Sequence, residues 1–199
     1  FTVLEEMDVK VPMRDGIQLS TNVYRPNEPG KYPVLLRRTP YGNGGPGNSE
    51  AKFYVERGYV FVNQDTRGRF ESEGVFYPMV NEKADGMDTL EWVAKQPWCN
   101  GKIGMHGGSY VGMTQWMPAL TGTPLLTSML PSVPLTENYS VSFQNGAYRM
   151  RMFTAWYAMM VAPYAIKADE FLKNTADTAN RSLPLIEQDT KIGWRMPFW

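Results

Sequence analysis

The stretch Lys102-Ile103-Gly104-Met105-His106-Gly107-Gly108-Ser109-Tyr110-Val111-Gly112-Met113-Thr114-Gln115-Trp116 decides the fold. Lys102 to Gly107 reads as a short buried strand, and from Ser109 onward Met113, Trp116, Met117 and Leu120 fall on one helical face until Gly122 and Pro124 stop it. A strand that runs into a helix through Gly-Gly-Ser is a tight strand-to-helix turn. Gly107 and Gly112 remove side chains where the two arms of such a turn approach, and Ser109 takes the strained apex. The pattern departs from Gly-x-Ser-x-Gly, because Val111 stands at its last position and the second glycine follows one residue later. On local sequence alone a glycine-rich turn with a capping serine fits the same letters.

Working outward, the preceding segments repeat a strand-helix alternation. Tyr32-Pro33-Val34-Leu35-Leu36 and Tyr59-Val60-Phe61-Val62-Asn63 are continuous apolar runs of the kind buried on both faces of a sheet. Between them Ser49 is placed to cap a helix ending near Arg57, with Gly58 as its stop. From Asn81 to Gln96 apolar residues recur at three and four positions until Pro97 blocks continuation. Val9 to Val23 alternates around Asp15-Gly16 as a hairpin, and Leu125 to Val133 reads as a further strand. The expected fold class is therefore α/β, a mostly parallel sheet with helices on both faces. After Pro134 the texture becomes rich in Met, aromatic residues and Ala with no returning strand pattern, so residues 1–137 are expected to form the α/β domain and 138–199 the beginning of a mainly helical one.

Composition limits the function. Twenty basic residues balance twenty acidic ones, which gives neither nucleic acid nor an anionic lipid surface an electrostatic handle. Met152 to Ile166 is apolar but contains Pro163 and falls short of the roughly 20 residues a spanning helix needs. A lone cysteine, Cys99, allows no internal disulfide, and with one histidine it cannot fill a Cys/His zinc site. Phe1-Thr2-Val3-Leu4-Glu5 has neither the basic nor the apolar run of a secretory leader, and the compartment stays open.

The chemistry available at the turn is nucleophilic. Attack by a serine on an acyl carbon needs the hydroxyl lifted clear of the sheet and donors aimed at the oxyanion; the Tyr110 backbone amide, at the helix start, is one such donor. The base is harder to find, since His106 is the sole histidine and lies upstream in the strand, where its ring should pack within the layers. Glu137, Asp169, Glu170, Asp177, Glu187 and Asp189 follow the serine, but none ends a strand pattern, so no acid is assigned. Asp65, Arg67 and Arg69 leave a strand together and are expected to satisfy one another as an ion-paired corner. Trp156, Met159 and Met160, within the aromatic and Met-rich run, are candidates for an acyl-binding pocket, and packing of a helical domain would explain them equally.

Several further runs occur in a fixed order: Val11-Pro12-Met13-Arg14-Asp15-Gly16, Tyr24-Arg25-Pro26, Arg38-Thr39-Pro40-Tyr41, Arg57-Gly58-Tyr59-Val60, Gln64-Asp65-Thr66-Arg67-Gly68-Arg69, Ser72-Glu73-Gly74, Asp85-Gly86-Met87-Asp88-Thr89 and Gln96-Pro97-Trp98. With Gly101 to Gly112 they resemble the cocaine esterase and Xaa-Pro dipeptidyl-peptidase-like group of α/β-hydrolases over about the first 135 residues. The resemblance implies a serine acyl hydrolase without cofactor or metal, with Ser109 as nucleophile, the Tyr41 hydroxyl as second oxyanion donor, and an ester or amide as small-molecule substrate. It also implies a longer parent, in which a helical cap precedes the strands carrying the acid and the base. The chain then reads as an N-terminal piece that is inactive alone and has an open sheet edge. Ser140 to Gly146 lacks the acidic cluster with which the amino-ester members of that group hold an ammonium, which favours a neutral or anionic acyl group. The competing expectation is a noncatalytic, truncated hydrolase module that serves as a binding or assembly partner.

Overall fold

The computed structural model describes residues 1–134, 138–149, 156 and 160. The chain divides into two compact units, Phe1–Thr136 and Glu137–Trp199.

In the first unit six strands form one sheet: β1 (Val3–Pro12), β2 (Gln18–Pro26), β3 (Tyr32–Thr39), β4 (Val60–Asp65), β5 (Cys99–Gly108) and β6 (Leu126–Ser132). Their order is β1-β2-β4-β3-β5-β6, with β1, β2 and β4 paired antiparallel and β4, β3, β5 and β6 parallel. Three helices cross over between the parallel strands: α1 (Ser49–Val55), α2 (Glu82–Ala94) and α3 (Tyr110–Ala119). The expected α/β class and its strand-helix alternation are therefore present.

Period-two alternation along β4 explains why its first residues are apolar without interruption. Val60 and Val62 pack with Leu90 and Val93 of α2, together with Val34, Leu36, Ile103 and Met105 of the neighbouring strands, whereas Phe61 packs with Ala51 and Val55 of α1. Helices cover both faces here, so neither set of side chains can be polar without losing its water. α3 lies beside α2, where Gly86 meets Pro118: a Cβ at residue 86 would stand 3.2 Å from the proline ring.

Local signals behave as their chemistry requires, with two corrections. The β1–β2 connection is Arg14-Asp15-Gly16, with Gly16 at φ 87° and closed by the Met13 amide donating to the Ile17 carbonyl at 2.8 Å. Gly58, at φ 81°, ends the α1 segment through its amide to Val55. The cap of α1 is Asn48 rather than Ser49: Asn48 Oδ1 accepts the Ala51 amide at 3.0 Å, which leaves Ser49 as the first helical residue.

In the second unit the described segment holds α4 (Asn138–Ser142) and a two-stranded hairpin, β7 (Phe143–Gln144) with β8 (Ala147–Tyr148). The hairpin corrects the expectation that no strand returns after Pro134. Its turn is Asn145-Gly146, both at positive φ (51° and 83°), and the Phe143 and Tyr148 rings meet across it at 5.4 Å.

Candidate active site

The β5–α3 junction is a strained turn at the carboxyl edge of the parallel strands. Ser109 has φ 55° and ψ −123°, a conformation costly for a residue with a side chain, and it is exposed at the surface. The turn closes because Gly107, at φ 132°, has no Cβ: one placed there would lie 2.4 Å from Val111 Cγ1. Val111 thus occupies the space that the glycine vacates, which accounts for the departure from the commoner spacing. Gly112 serves the other arm, since its Cβ would stand 3.2 Å from Pro134 and 3.3 Å from the Gly107 carbonyl.

Hydrogen bonds lock the turn to its neighbours. The Ser109 amide donates to Ser132 of β6 at 3.0 Å, and the Ser109 carbonyl accepts from Gly112 and Met113 as the first turn of α3. Gln115 Nε2 donates to the Gly107 and Val111 carbonyls at 3.1 Å each, while its Oε1 accepts the Leu130 amide at 3.1 Å. Gln115 is fully buried, so these bonds satisfy an amide that would otherwise cost stability.

Tyr110 follows the serine as the first residue of α3, and its side chain points inward. Its hydroxyl donates to Glu82 Oε1 at 2.8 Å and accepts the Met79 amide at 2.9 Å. Burial, reinforced by the Glu82 charge, pushes this phenol well above its usual value, so it stays a neutral donor. Glu82 in turn pairs with Arg38 at 2.8 Å, and Arg38 Nε donates to Gln64 Oε1 at 2.8 Å. Thr89 Oγ1 donates to the same Gln64 oxygen, and Thr114 Oγ1 donates to the Arg38 carbonyl at 3.1 Å. The backbone that carries the Tyr110 amide is therefore anchored through β3, β4, α2 and α3 at once. Sequence reasoning misses Arg38 and Glu82 as parts of the site; Arg38 stands in plain view in the Arg38-Thr39-Pro40-Tyr41 run, but its partner lies 44 residues away.

Tyr41 sits in the loop that leaves β3. Because β3 and β5 are adjacent and parallel, with Leu36 level with Met105, this loop and the serine turn emerge at the same edge of the sheet. Tyr41 is 42% exposed, and its amide donates to Thr39 Oγ1 at 3.0 Å. Ser109, Tyr41 and Tyr110 are thus gathered at one edge.

The other candidates fare differently. His106 packs between Tyr54 and Phe61 (ring centroids 5.2 and 5.8 Å), and its Nε2 is 4.0 Å from Glu50. Burial lowers its pKa, partly opposed by Glu50, and the ring lies in the α1 face of the sheet as expected for a packed strand histidine. The corner at Asp65 to Arg69 is corrected for Arg67, which turns away from Asp65 to Asp85 (2.6 Å) and Asp15 (2.7 Å); these hydrogen-bonded carboxylates raise its pKa. Arg69 Nε donates to the Pro40 carbonyl at 2.8 Å. Asp65 is buried, accepts from the Asn43 amide, and keeps an Oδ1 with no hydrogen-bond partner among the described residues; burial pushes its carboxyl up to about 7. The cause is the turn itself: Arg69 donates its amide to Thr66, so successive side chains leave the strand end in different directions. In the second unit Trp156 is half-buried and Met160 buried, while Met159 lies outside the described residues. Among the described residues no three His, Cys, Asp or Glu side chains are grouped to hold a metal, and no helix is long and apolar enough to cross a membrane.

Comparison with known proteins identifies the fold and the family. The cocaine esterase of Rhodococcus sp. (strain MB1 Bresler) is 40% identical over 160 residues, which cover 77% of this chain and 28% of the esterase. A CocE/NonD family hydrolase from Staphylococcus aureus superposes with a TM-score of 0.76 at 32% identity, over 81% of this chain and 33% of that one. An α-amino acid ester hydrolase gives 0.66 at 30% identity, over 77% and 30%. The fold is that of the α/β-hydrolases, and the chain spans less than a third of the length of the curated relatives it matches. Residues 15–197 match the family model described as X-Pro dipeptidyl-peptidase (S15 family), and the chain belongs to that family.

Proposed function

We propose that the protein containing this chain is a serine acyl hydrolase that cleaves an ester or amide through an acyl-enzyme on Ser109. The observation that carries the reading is the exposed Ser109 at φ 55°, held at the sheet edge by glycines on both arms of its turn. The hydroxyl attacks the acyl carbon, and negative charge develops on the carbonyl oxygen. The Tyr110 amide, at the positive end of α3, and the Tyr41 hydroxyl are the two donors for that oxygen. Each donates a hydrogen bond without giving up its proton. The base is assigned to polypeptide other than these 199 residues because the sole histidine is packed against Tyr54 and Phe61, and the acid likewise because no carboxylate after Ser109 ends a strand pattern in the sequence. The chain alone is accordingly inactive.

A neutral or anionic acyl group fits better than an ammonium-bearing one, since Ser140 to Gly146 carries no carboxylate. The name of the 40% identical relative, an esterase, supports an ester as the scissile bond. The helical cap over 138–199, with Trp156, Met159 and Met160 as acyl-pocket residues, belongs to the same proposal. Fluorophosphonate labelling of the complete protein tests it: Ser109→Ala abolishes the label, and undiminished labelling of that variant refutes the assignment.

A further inference from the structure

The residues on either side of Tyr41 are gripped by two consecutive residues of a distant turn. Arg69, 2% exposed, donates its Nε to the Pro40 carbonyl at 2.8 Å. The next residue, Phe70, lies against Gly42, where a Cβ would stand 3.2 Å from its ring. Consecutive side chains on extended backbone point to opposite sides. Here Phe70 is at φ 48°, in the left-handed region, and that kink allows both side chains to face the same loop. The turn that carries them is tightly packed. Gly68, at φ 67°, has the Phe76 amide nitrogen where a Cβ would be (2.1 Å), and its own amide donates to Glu73 at 2.8 Å. Phe70 and Phe76 flank the guanidinium at 5.2 and 5.3 Å.

The Pro40–Tyr41 peptide is consequently held at both ends, its carbonyl by Arg69 and its N–H by Thr39 Oγ1 at 3.0 Å. A buried guanidinium carries a desolvation cost that an apolar residue of similar volume avoids. Besides facing the charge of buried Asp65, it fixes the carbonyl end of the peptide that leads into Tyr41. We propose that Arg69 and Phe70 form a clamp that positions the Tyr41 hydroxyl for the oxyanion; both are positioning residues, and the inference rests on the reading of Tyr41 given above.

The test is a double-mutant cycle on the complete protein, with kcat and KM measured on 4-nitrophenyl acetate. Tyr41→Phe, Arg69→Met and Phe70→Ala are made singly, and the last two are repeated in the Tyr41→Phe background. Misplacing a reacting group by about 1 Å costs on the order of 10²-fold, so Arg69→Met should lower kcat by roughly 10- to 100-fold and Phe70→Ala by roughly 3- to 10-fold, with KM little changed. In the Tyr41→Phe background each should cost less than about 3-fold, because the hydroxyl they position is gone. Equal costs in both backgrounds, or a change in KM alone, overturn the clamp while leaving the oxyanion reading intact. A Tyr41→Phe enzyme with undiminished kcat removes that reading and the clamp with it. Phe70 is half exposed and its truncation leaves the core whole, so Phe70→Ala decides the matter if Arg69→Met fails to fold.

Discussion

The serine turn and the Tyr41 loop stand side by side at one sheet edge, yet they are held by different means. The strain of the turn is set by residues within six positions of one another, where Gly107 yields to Val111, Gly112 yields to the Gly107 carbonyl and Ser109 accepts the unfavourable φ, and Ser132 and Pro134 of the β6 end hold it from the side. The Tyr41 loop is shaped from afar, by Arg69 on Pro40, by Phe70 on Gly42, and by Asn22 and Asn63, whose side-chain amides donate to the Asn43 carbonyl. The strained conformation of the nucleophile thus comes from local sterics, whereas both proposed oxyanion donors are also held by distant contacts, Tyr110 through Glu82 and Arg38 and the Tyr41 loop through Arg69, Phe70 and the two asparagines. A change in the contacts to the Tyr41 loop can therefore alter that donor while the nucleophile stays in place.

Breaking the local half should have the largest effect. Gly107→Ala adds a Cβ 2.4 Å from Val111 at a φ of 132° that alanine disfavours. Overpacking and backbone strain together should cost roughly 3–6 kcal/mol, or else displace Ser109 and abolish fluorophosphonate labelling. A variant with unchanged denaturation midpoint and full labelling would show that the turn does not need the glycine. Arg38→Met breaks the buried pair beneath Tyr110 and leaves Glu82 uncompensated, which should cost about 3–5 kcal/mol in chemical denaturation. A loss below about 1 kcal/mol would mean that the network does not anchor α3.

Asp65 sharpens the comparison through pH. Burial lifts its carboxyl from 3.8 to about 7, so between those values the native state binds the proton more tightly than the unfolded chain does. Stability should therefore fall as pH rises through this window, by up to about 1.4 kcal/mol per unit, and level off above it. Asp65→Asn does not titrate and should gain on the parent over the same window; a stability difference that is flat with pH contradicts the burial argument. The smallest effect is expected at the cap of α1, where Asn48→Ala should cost about 1 kcal/mol and Ser49→Ala markedly less. Equal costs would return the cap to Ser49.

The same division explains what is legible in the sequence. Elements set by neighbours in the chain can be read directly: the strand-turn-helix around Ser109, the Asp15-Gly16 connection, the βαβ unit of β3, α1 and β4, and the stop at Gly58. Asn145-Gly146 is readable too, as a hairpin signal, but it sits within a stretch whose Met and aromatic content suggests helix alone. Asn48 and Ser49 can each supply a capping oxygen, and only backbone geometry chooses between them. The Arg38, Glu82 and Tyr110 network and the separate destinations of Arg67 and Arg69 are not legible. Their partners lie between 18 and 52 residues away, and nothing in local pattern says which carboxylate or carbonyl a buried arginine will meet.

The most direct measurement is a crystal structure of the complete protein after reaction with a phosphonate ester. The account predicts a covalent bond from Ser109 Oγ to phosphorus, with one phosphonyl oxygen roughly 2.7–3.1 Å from both the Tyr110 amide nitrogen and Tyr41 Oη. An adduct on another residue, or a phosphonyl oxygen turned to solvent away from both tyrosines, would contradict it.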